Sequence, residues 1–197
     1  MELDFAQEYI LENERAKLIP LHQNHVDSLR ALAKEKSLWT YFLGRSNGFQ
    51  DFEGYVLDAI DHRKLKKEYP FAVFDKQTNS FAGSTRFFDY DQHLKNIRLG
   101  YTWYGADFRG TGLNKNCKYL LFEFAFEALG AERVGLGAHD ENVVSIAAMK
   151  SVGCVLEGHI RNAFPSIHRT GRSDAILLGI LKEEWEDHVK HNLKHTL

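Results

Sequence analysis

Two short segments of the chain combine residue types that could form a ligand site, the first of them for a phosphate group. The first segment runs from Arg109 to Asn114 and places Gly110 and Gly112 directly before a long amphipathic pattern. Glycine lets the backbone approach a ligand closely, and the first turn of a helix presents unpaired N–H groups with partial positive charge. The loop therefore predicts a phosphate or pyrophosphate site, although an ordinary strand-to-helix turn would also use glycine. It lacks the third glycine of a dinucleotide fingerprint and the Gly-Lys-Ser/Thr ending of a P-loop.

The second segment is Asp140 to Gly153, which follows a predicted strand and opens a helix. Asn142 and Ser145 are three residues apart at its start, so their side chains lie at one end of that helix. Asn and Ser are also common helix caps, and a capping role alone would explain them. Their occurrence together with the glycine loop favours a more specific site.

The elements that position these segments are short strands and helices. Strands are predicted near residues 16–21, 71–74, 81–88, 97–104, 133–138, 154–160 and 175–181. Helical spacing of apolar residues predicts helices over 22–34, 51–67, 112–129 and 142–152, with a short polar helix around Trp185. Alternation of strand and helix in the second half indicates a mixed α/β (α+β) sheet in one domain over residues 1–197.

Composition excludes several classes of function. The chain is 44% hydrophobic, enough for a core, and its formal net charge of −2 provides no basic field for nucleic acid or anionic membrane. The amino terminus lacks the pattern of a signal peptide, and no apolar run is long enough to cross a bilayer, so a cytoplasmic protein is expected. Cys117 and Cys154 stand among apolar residues, which predicts buried thiols rather than a disulfide or a metal site. No metal is expected.

The two segments together resemble motifs of the GCN5-related N-acetyltransferases, the GNAT superfamily. Arg109-Gly110-Thr111-Gly112 resembles the Arg/Gln-x-x-Gly-x-Gly/Ala phosphate loop, and Asn142-x-x-Ser145 with Gly153 resembles the motif that follows it. In that pattern Asn114 replaces the small Gly or Ala, and Lys150 stands where an acidic residue is common. Since the backbone supplies the donors of a phosphate loop, the first departure leaves pyrophosphate binding in place.

A closer resemblance is to the branch that contains the RimJ/RimL-like ribosomal-protein N-terminal acetyltransferases. Four stretches carry it: Leu99 to Trp103, Arg109 to Asn114, Glu157-Gly158, and Gly171 to Asp174 leading to Glu184-Trp185. The likeness extends from about Asn13 to Trp185, which marks the core of the domain. It implies a GNAT fold, with a splayed mixed central sheet flanked by helices.

The resemblance implies that acetyl-CoA is the co-substrate and that an amine attacks its thioester directly in a ternary complex. Backbone N–H groups around Tyr101, Thr102 and Trp103 would polarise the carbonyl. Asn142 would contact the pantetheine arm, and Ser145 would donate a hydrogen bond or a proton to the departing thiolate. The residues that would hold the pyrophosphate are Arg109, Gly110, Thr111, Gly112, Leu113 and Asn114.

The general base is less well defined by the sequence. An α-amine has a pKa of about 8 and is partly neutral in the cytosol, whereas a lysine amine has a pKa of about 10.4. An enzyme that acts on α-amines therefore needs only a weak base or a water held by a carboxylate. Glu157, Asp89 and Asp174 are the candidates for the general base, and Glu157 is the predicted catalytic residue.

The acceptor is an amine whose identity the sequence leaves open. A peptide or protein N-terminus is the leading hypothesis. A small amine such as an antibiotic, a polyamine or an amino-acid derivative is the alternative, and an acyl-CoA-binding regulator without turnover is a third. Trp39, Tyr41 and Phe42 either line the acceptor pocket or belong to the core. A homodimer is compatible with the sequence, which also leaves the acyl-chain preference open.

Overall fold

One twisted sheet organises the chain, as seen in a computed structural model that describes residues 1–43 and 48–197. The described residues contain eight strands in the order β1-β2-β3-β4-β5-β6-β8-β7. All neighbours are antiparallel except β5 and β6, which are parallel, so the sheet is mixed as predicted. The strands are β1 (Leu11–Glu12), β2 (Ala16–Pro20), β3 (Glu68–Asp75), β4 (Ser80–Asp91), β5 (Asn96–Tyr104), β6 (Arg133–His139), β7 (Val155–Pro165) and β8 (Arg172–Leu181).

Helices cover both faces of this sheet. They are α1 (Val26–Arg30), α2 (Phe52–Lys64), α3 (Leu113–Glu123), α4 (Val143–Lys150), α5 (Lys182–Glu184) and α6 (Lys190–Lys194). Single π turns extend α3 over Phe124–Ala128 and join α5 to α6 over Trp185–Val189. Short 3₁₀ turns occupy Gln23–His25, Leu32–Lys34, Lys36–Trp39 and Ala106–Phe108.

The predicted helix over residues 22–34 is confirmed only in part, because only α1 is α-helical and a 3₁₀ turn lies on each side of it. Glu35 is extended, with φ −73° and ψ 110°, and separates the second of these turns from the next, Lys36–Trp39. The indole Nε1 of Trp39 donates to the carbonyl of Ala33 at 2.8 Å, taking the acceptor that a continuing helix would use. Trp39 is only 3% exposed and belongs to the core, one of the two interpretations of this residue.

Two hydrophobic layers hold the sheet. The larger layer packs Leu99 and Leu136 of the central strands against Leu121 of α3 and Met149 of α4, and we call this side the α3 face. The smaller layer packs Trp103 against α1 and α2, and we call this side the α2 face. Since α4 shares the α3 face, the two motif-bearing helices α3 and α4 lie on the same side of the sheet.

Two features of the sheet differ from the prediction. Strand β1 has only two residues, which is too short for a recognisable sequence pattern. The hairpin of β7 and β8 is longer than predicted, because its outer part continues to Pro165 and resumes at Arg172 with mostly exposed residues. Such residues lack the apolar alternation from which a strand is recognised.

Candidate active site

A gap opens in the centre of the sheet where β5 and β6 separate. The two strands pair only over Asn96–Arg98 and Arg133–Gly135. Beyond that point β5 continues with β4, and β6 continues with β8, without pairing with each other. This is the splayed sheet that the resemblance implies, and it leaves the inner edge of β5 open along the second half of the strand.

A β-bulge lies at this open edge. Tyr101 and Thr102 of β5 together stand opposite the single residue Thr85 of β4. Tyr101 has φ +50°, in the left-handed region that a bulge can use. The extra residue reverses the alternation of side chains, so Leu99 faces α3 whereas Trp103 faces α2.

The bulge and the strand end direct a backbone donor into the gap. The amide of Gly105 donates to the carbonyl of Ala82 in the β4 direction at 2.9 Å. Because successive N–H groups of an antiparallel strand point to opposite edges, the amide of Tyr104 points toward the gap. A donor therefore lies beside the position where the sequence places the thioester carbonyl, next to Trp103.

The glycine loop leads directly from β5 into α3. Gly110 and Gly112 have φ of +72° and +88°, and a Cβ built on either glycine meets no atom within 4 Å. Gly112 is the N-cap residue of α3. The two glycines therefore serve a backbone conformation that other residues rarely adopt, beside open space large enough for a ligand.

Four backbone amides of this loop have no hydrogen-bond acceptor among the described residues. In the part of the chain that the structure describes, the N–H groups of Gly110, Thr111, Gly112 and Asn114 donate no hydrogen bond. They surround the N-terminus of α3, where the helix dipole adds partial positive charge. Convergent free amides at a helix start form an anion site, and a pyrophosphate fits its chemistry.

The side chains of the loop act as its supports. The guanidinium of Arg109 donates to the carbonyl of Tyr104 at 3.0 Å and to both carboxylate oxygens of Glu35 at 3.1 and 3.0 Å. Leu113 is fully buried in the α3-face core. The hydroxyl of Thr111 donates to Phe108.

Arg15 is a neighbour of the loop that sequence reasoning missed. Its guanidinium lies 3.3 Å from the hydroxyl of Thr111 and pairs with the buried carboxylate of Asp75. Arg15 belongs to the turn before β2, 96 residues away in the sequence, so no local pattern could have identified it. It adds a cation beside the predicted phosphate position.

Asn142 and Ser145 differ in their hydrogen bonding at the start of α4. The Oδ1 atom of Asn142 accepts the amide of Ser145 at 3.2 Å, so Asn142 is the N-cap of α4. The hydroxyl of Ser145 is half-buried and has no hydrogen-bond partner among the described residues. The cap is therefore Asn142, and the Ser145 hydroxyl is available to a ligand.

Two candidate bases lie on the α2 face, each beside an arginine. The Glu157 carboxylate lies over Gly179 and accepts two hydrogen bonds from Arg133, one of them at 2.8 Å. Asp89 pairs with Arg98 at 3.2 Å. Since β7 lies two strands from β6, Glu157 is about 10 Å across the sheet from the gap, and its role as base stays a prediction.

Asp174, the third candidate base, accepts the amide of Asn162 at 2.9 Å across the β7–β8 hairpin. This hydrogen bond links the two strands of the hairpin, so the Asp174 carboxylate has a structural role there.

A hydrogen-bond network at the end of β6 was not foreseen from the sequence. The carboxylate of Glu141 accepts from the hydroxyls of Ser166 and Ser173 and from the amides of Ile167 and His168. The hydrogen bond from Ser166 is the main cause that lowers the pKa of Glu141 to about 2.

Tyr41 joins this network from the other half of the chain. Its hydroxyl donates to the carbonyl of Glu141 at 2.9 Å, and its ring lies 5.4 Å from that of His139. The turn between β7 and β8 and the segment after Trp39 thus meet at the end of β6, beside the α2-face mouth of the gap.

The two cysteines are free and buried. Burial raises the pKa of both Cys117 and Cys154 to about 12. Both thiols therefore stay protonated at neutral pH, and neither is poised as a nucleophile.

Comparison with known proteins gives a family match. Residues 15–155 match the acetyltransferase (GNAT) domain family. YdaF of Bacillus subtilis (strain 168), a protein named provisionally as a ribosomal N-acetyltransferase, is 30% identical over 108 residues. That match covers 54% of this chain and 57% of YdaF, so it spans little more than half of the relative.

Solved structures share the fold. A GCN5-related N-acetyltransferase from Brucella melitensis superimposes with a TM-score of 0.84 at 24% identity, covering 96% of this chain and 85% of that one. A protein of Vibrio cholerae titled as a ribosomal-protein-serine acetyltransferase gives 0.73 at 20% identity, covering 88% and 97%. The microcin C7 self-immunity acetyltransferase MccE, solved with acetyl-CoA and AMP, gives 0.70 at 19% identity, covering 86% and 93%. Within the described residues, no helix has the length and apolar character needed to cross a membrane.

Proposed function

The chain belongs to the GNAT acetyltransferases, and we propose that it transfers the acetyl group of acetyl-CoA to the α-amine of a protein or peptide N-terminus. The observation that carries the cofactor assignment is the set of four free amides at the start of α3, directly beside the gap between β5 and β6. These donors fit a pyrophosphate, and the open edge of β5 fits an extended arm that pairs like a strand. A relative of the same fold holds acetyl-CoA.

Acetyl-CoA supplies an activated acyl group and a thiol leaving group. In this proposal the loop from Arg109 to Asn114 binds the pyrophosphate, and Asn142 at the cap of α4 contacts the arm. The amide of Tyr104 and its neighbours in the bulge polarise the carbonyl. Ser145, whose hydroxyl is free, donates a hydrogen bond to the departing sulfur.

The proposed acceptor follows from the basicity that the site can provide. The carboxylates of Glu157 and Asp89 each already accept hydrogen bonds from an arginine. A carboxylate that is already paired with an arginine is a weak base. It suits an α-amine, whose pKa is about 7.7–8.0, better than a lysine amine, whose pKa is about 10.4. The names of YdaF and of the Vibrio cholerae protein point to ribosomal proteins as one class of acceptor.

A thiol-release assay with acetyl-CoA tests this function. The panel should contain peptides with free N-termini, the same peptides with blocked N-termini and an internal lysine, and small amines including a polyamine and an aminoglycoside. We expect release only with free α-amines. Thiol release with small amines alone would mean that the acceptor is a small amine and not a peptide N-terminus. Tight acetyl-CoA binding without thiol release for any amine would indicate a regulator.

Localisation in the cytoplasm and the use of a metal-free mechanism remain parts of this proposal. A direct attack of the amine on the thioester needs no Lewis acid.

A further inference from the structure

Lys118 lies on α3 beneath the bulge of β5. It is 5% exposed, and its Nζ donates to the hydroxyl of Thr102 at 3.1 Å. The Thr102 hydroxyl also shares a 2.7 Å hydrogen bond with the hydroxyl of Thr85 in β4. The ammonium group is therefore attached to the bulge from the α3 face, at the strand that borders the gap.

This buried cation has no negative partner in the described part of the chain. Among the described residues no carboxylate pairs with Lys118, and the titratable groups that face it are two thiols, Cys117 of its own helix and Cys154 from the segment between α4 and β7. Both thiols are protonated at neutral pH, as described above. Of the three N–H donors of the ammonium group, one has a partner in the described chain.

A second buried cation shows the usual arrangement. Arg86 on the α2 face is 3% exposed and pairs with the equally buried Glu68 at 2.6 Å. Burial of a cation without such a partner is unfavourable. Desolvation lowers the pKa of Lys118 to about 8, so the group still carries its charge at neutral pH. The fold thus keeps an uncompensated positive charge at the bulge.

Acetyl transfer would place negative charge at this position, and the inference rests on the proposed function. The amine nitrogen forms a bond to the carbonyl carbon, the carbon–sulfur bond breaks, and its electron pair leaves on sulfur. The nitrogen loses one proton to base or solvent, and the thiolate gains one. Negative charge develops first on the carbonyl oxygen and then on sulfur.

We propose that Lys118 is a positioning residue for this reaction. Through Thr102 it holds the bulge in the conformation that presents its backbone donors to the gap, and its charge stabilises the negative charge of the transition state. Such an interaction lowers the barrier because it is stronger in the transition state than with the bound thioester.

Lys118→Met tests the proposal, since methionine has a similar length and no charge. We expect kcat for thiol release to fall roughly ten- to hundred-fold, because the charge acts through a neighbour rather than as a direct donor. Acetyl-CoA affinity should stay close to that of the wild type. The apo protein should melt at a higher temperature at pH 7, since an unfavourable buried charge is removed. Lys194→Met, at an exposed lysine of α6, is the matched control and should leave all three quantities unchanged.

A purely structural lysine would give a different result, namely a lower melting temperature with kcat reduced only in proportion to the folded fraction. That result, or wild-type kcat in a folded Lys118→Met protein, would overturn the proposal.

A second variant and a second readout cover the case in which Lys118→Met does not fold. Thr102→Val keeps the charge, removes the hydroxyl link and should reduce kcat in the same direction by a smaller factor. Ultraviolet absorbance of the thiolate gives the pKa of CoA bound to each protein. We expect a value below that of free CoA in the wild type and a higher value in Thr102→Val, and an unshifted value in the wild type would contradict the proposal.

Failure of the proposed function is distinguishable from failure of this inference. If the wild type released no thiol with any amine, the function would be wrong, while the pKa of bound CoA would still report on Lys118.

Discussion

The two sides of the gap differ in how their polar groups are used. On the side of α3 and α4, the loop amides, the Ser145 hydroxyl and the Lys118 ammonium all retain donors without partners in the described chain. On the α2 face, Glu157, Asp89 and Glu141 are each engaged by arginines, hydroxyls or amides. A buried donor without a partner, such as the Lys118 ammonium, costs stability, whereas the loop amides at exposed residues can bond to solvent until a ligand replaces it. Under the proposed function, the donors for the cofactor are formed in advance, whereas an acceptor must exchange existing bonds.

The largest effect is expected for Ser145→Ala. If the free hydroxyl meets the developing thiolate, kcat should fall by roughly ten- to a thousand-fold with little change in acetyl-CoA affinity. Steady-state kinetics and calorimetry measure the two quantities. Asn142→Ala is the matched control for the helix start, because it removes the actual cap and should cost about 1 kcal/mol of stability. A destabilised Ser145→Ala protein with normal kcat would contradict the assignment.

Gly112→Val should weaken acetyl-CoA binding by about a hundredfold, or ~2.7 kcal/mol, because its side chain occupies the space beside the free amides. Gly130→Val is a matched control, since Gly130 also has positive φ (+74°) and open surroundings but lies at the far end of the helix. Both variants should lose a similar amount of stability, roughly 1–2 kcal/mol. Equal acetyl-CoA affinity in the two variants, measured by calorimetry, would remove the loop from the cofactor site.

Glu157→Gln tests the α2 face, where the polar groups already have hydrogen-bond partners. As the base, or the residue that holds a basic water, Glu157 should contribute about tenfold or more to kcat/KM for an α-amine acceptor. The loss should be largest at low pH, where the amine is protonated. Asp89→Asn is the control with the same kind of arginine partner. Identical pH–rate profiles for both variants and the wild type would leave the base to solvent.

The smallest effect concerns the attachment of the β7–β8 turn at Glu141. The folded-state pKa of this carboxyl, about 2, is below its ordinary value of 4.5, so its contribution to stability is present above pH 4.5 and is lost as the pH falls toward 2. The protection factors of the Ile167 and His168 amides, which compare their exchange with the intrinsic rate at each pH, should therefore fall over this range. Glu141→Gln should show lower protection factors already at pH 7, and wild-type protection factors that do not change with pH would show that the turn is held by other contacts.

Sequence patterns were sufficient for the parts of the site that are local. The glycine loop and the start of α4 follow from short motifs whose backbone chemistry is specific, the mixed sheet follows from alternating strands and helices, and its splay was implied by the GNAT resemblance. The GNAT family assignment is confirmed by the match over residues 15–155.

The same sequence patterns could not predict contacts between residues that are far apart in the chain. Lys118 lies between Cys117 and Tyr119 in a helix that also carries other polar residues, and its position in the sequence shows neither its burial nor its contact with Thr102, 16 residues earlier. Arg15 and Tyr41 reach the site from the first quarter of the chain. Burial and pairing of such residues depend on how the layers pack, which helical and strand periodicity does not specify.

A titration with acetyl-CoA followed by amide NMR tests the central claim most directly. The account predicts that the N–H resonances of Gly110, Thr111, Gly112 and Asn114 move together and saturate with one affinity, while that of Gly130 does not move. Saturable acetyl-CoA binding that leaves these four amides unshifted would contradict the account, because the free donors at the start of α3 would then not be the site that holds the cofactor.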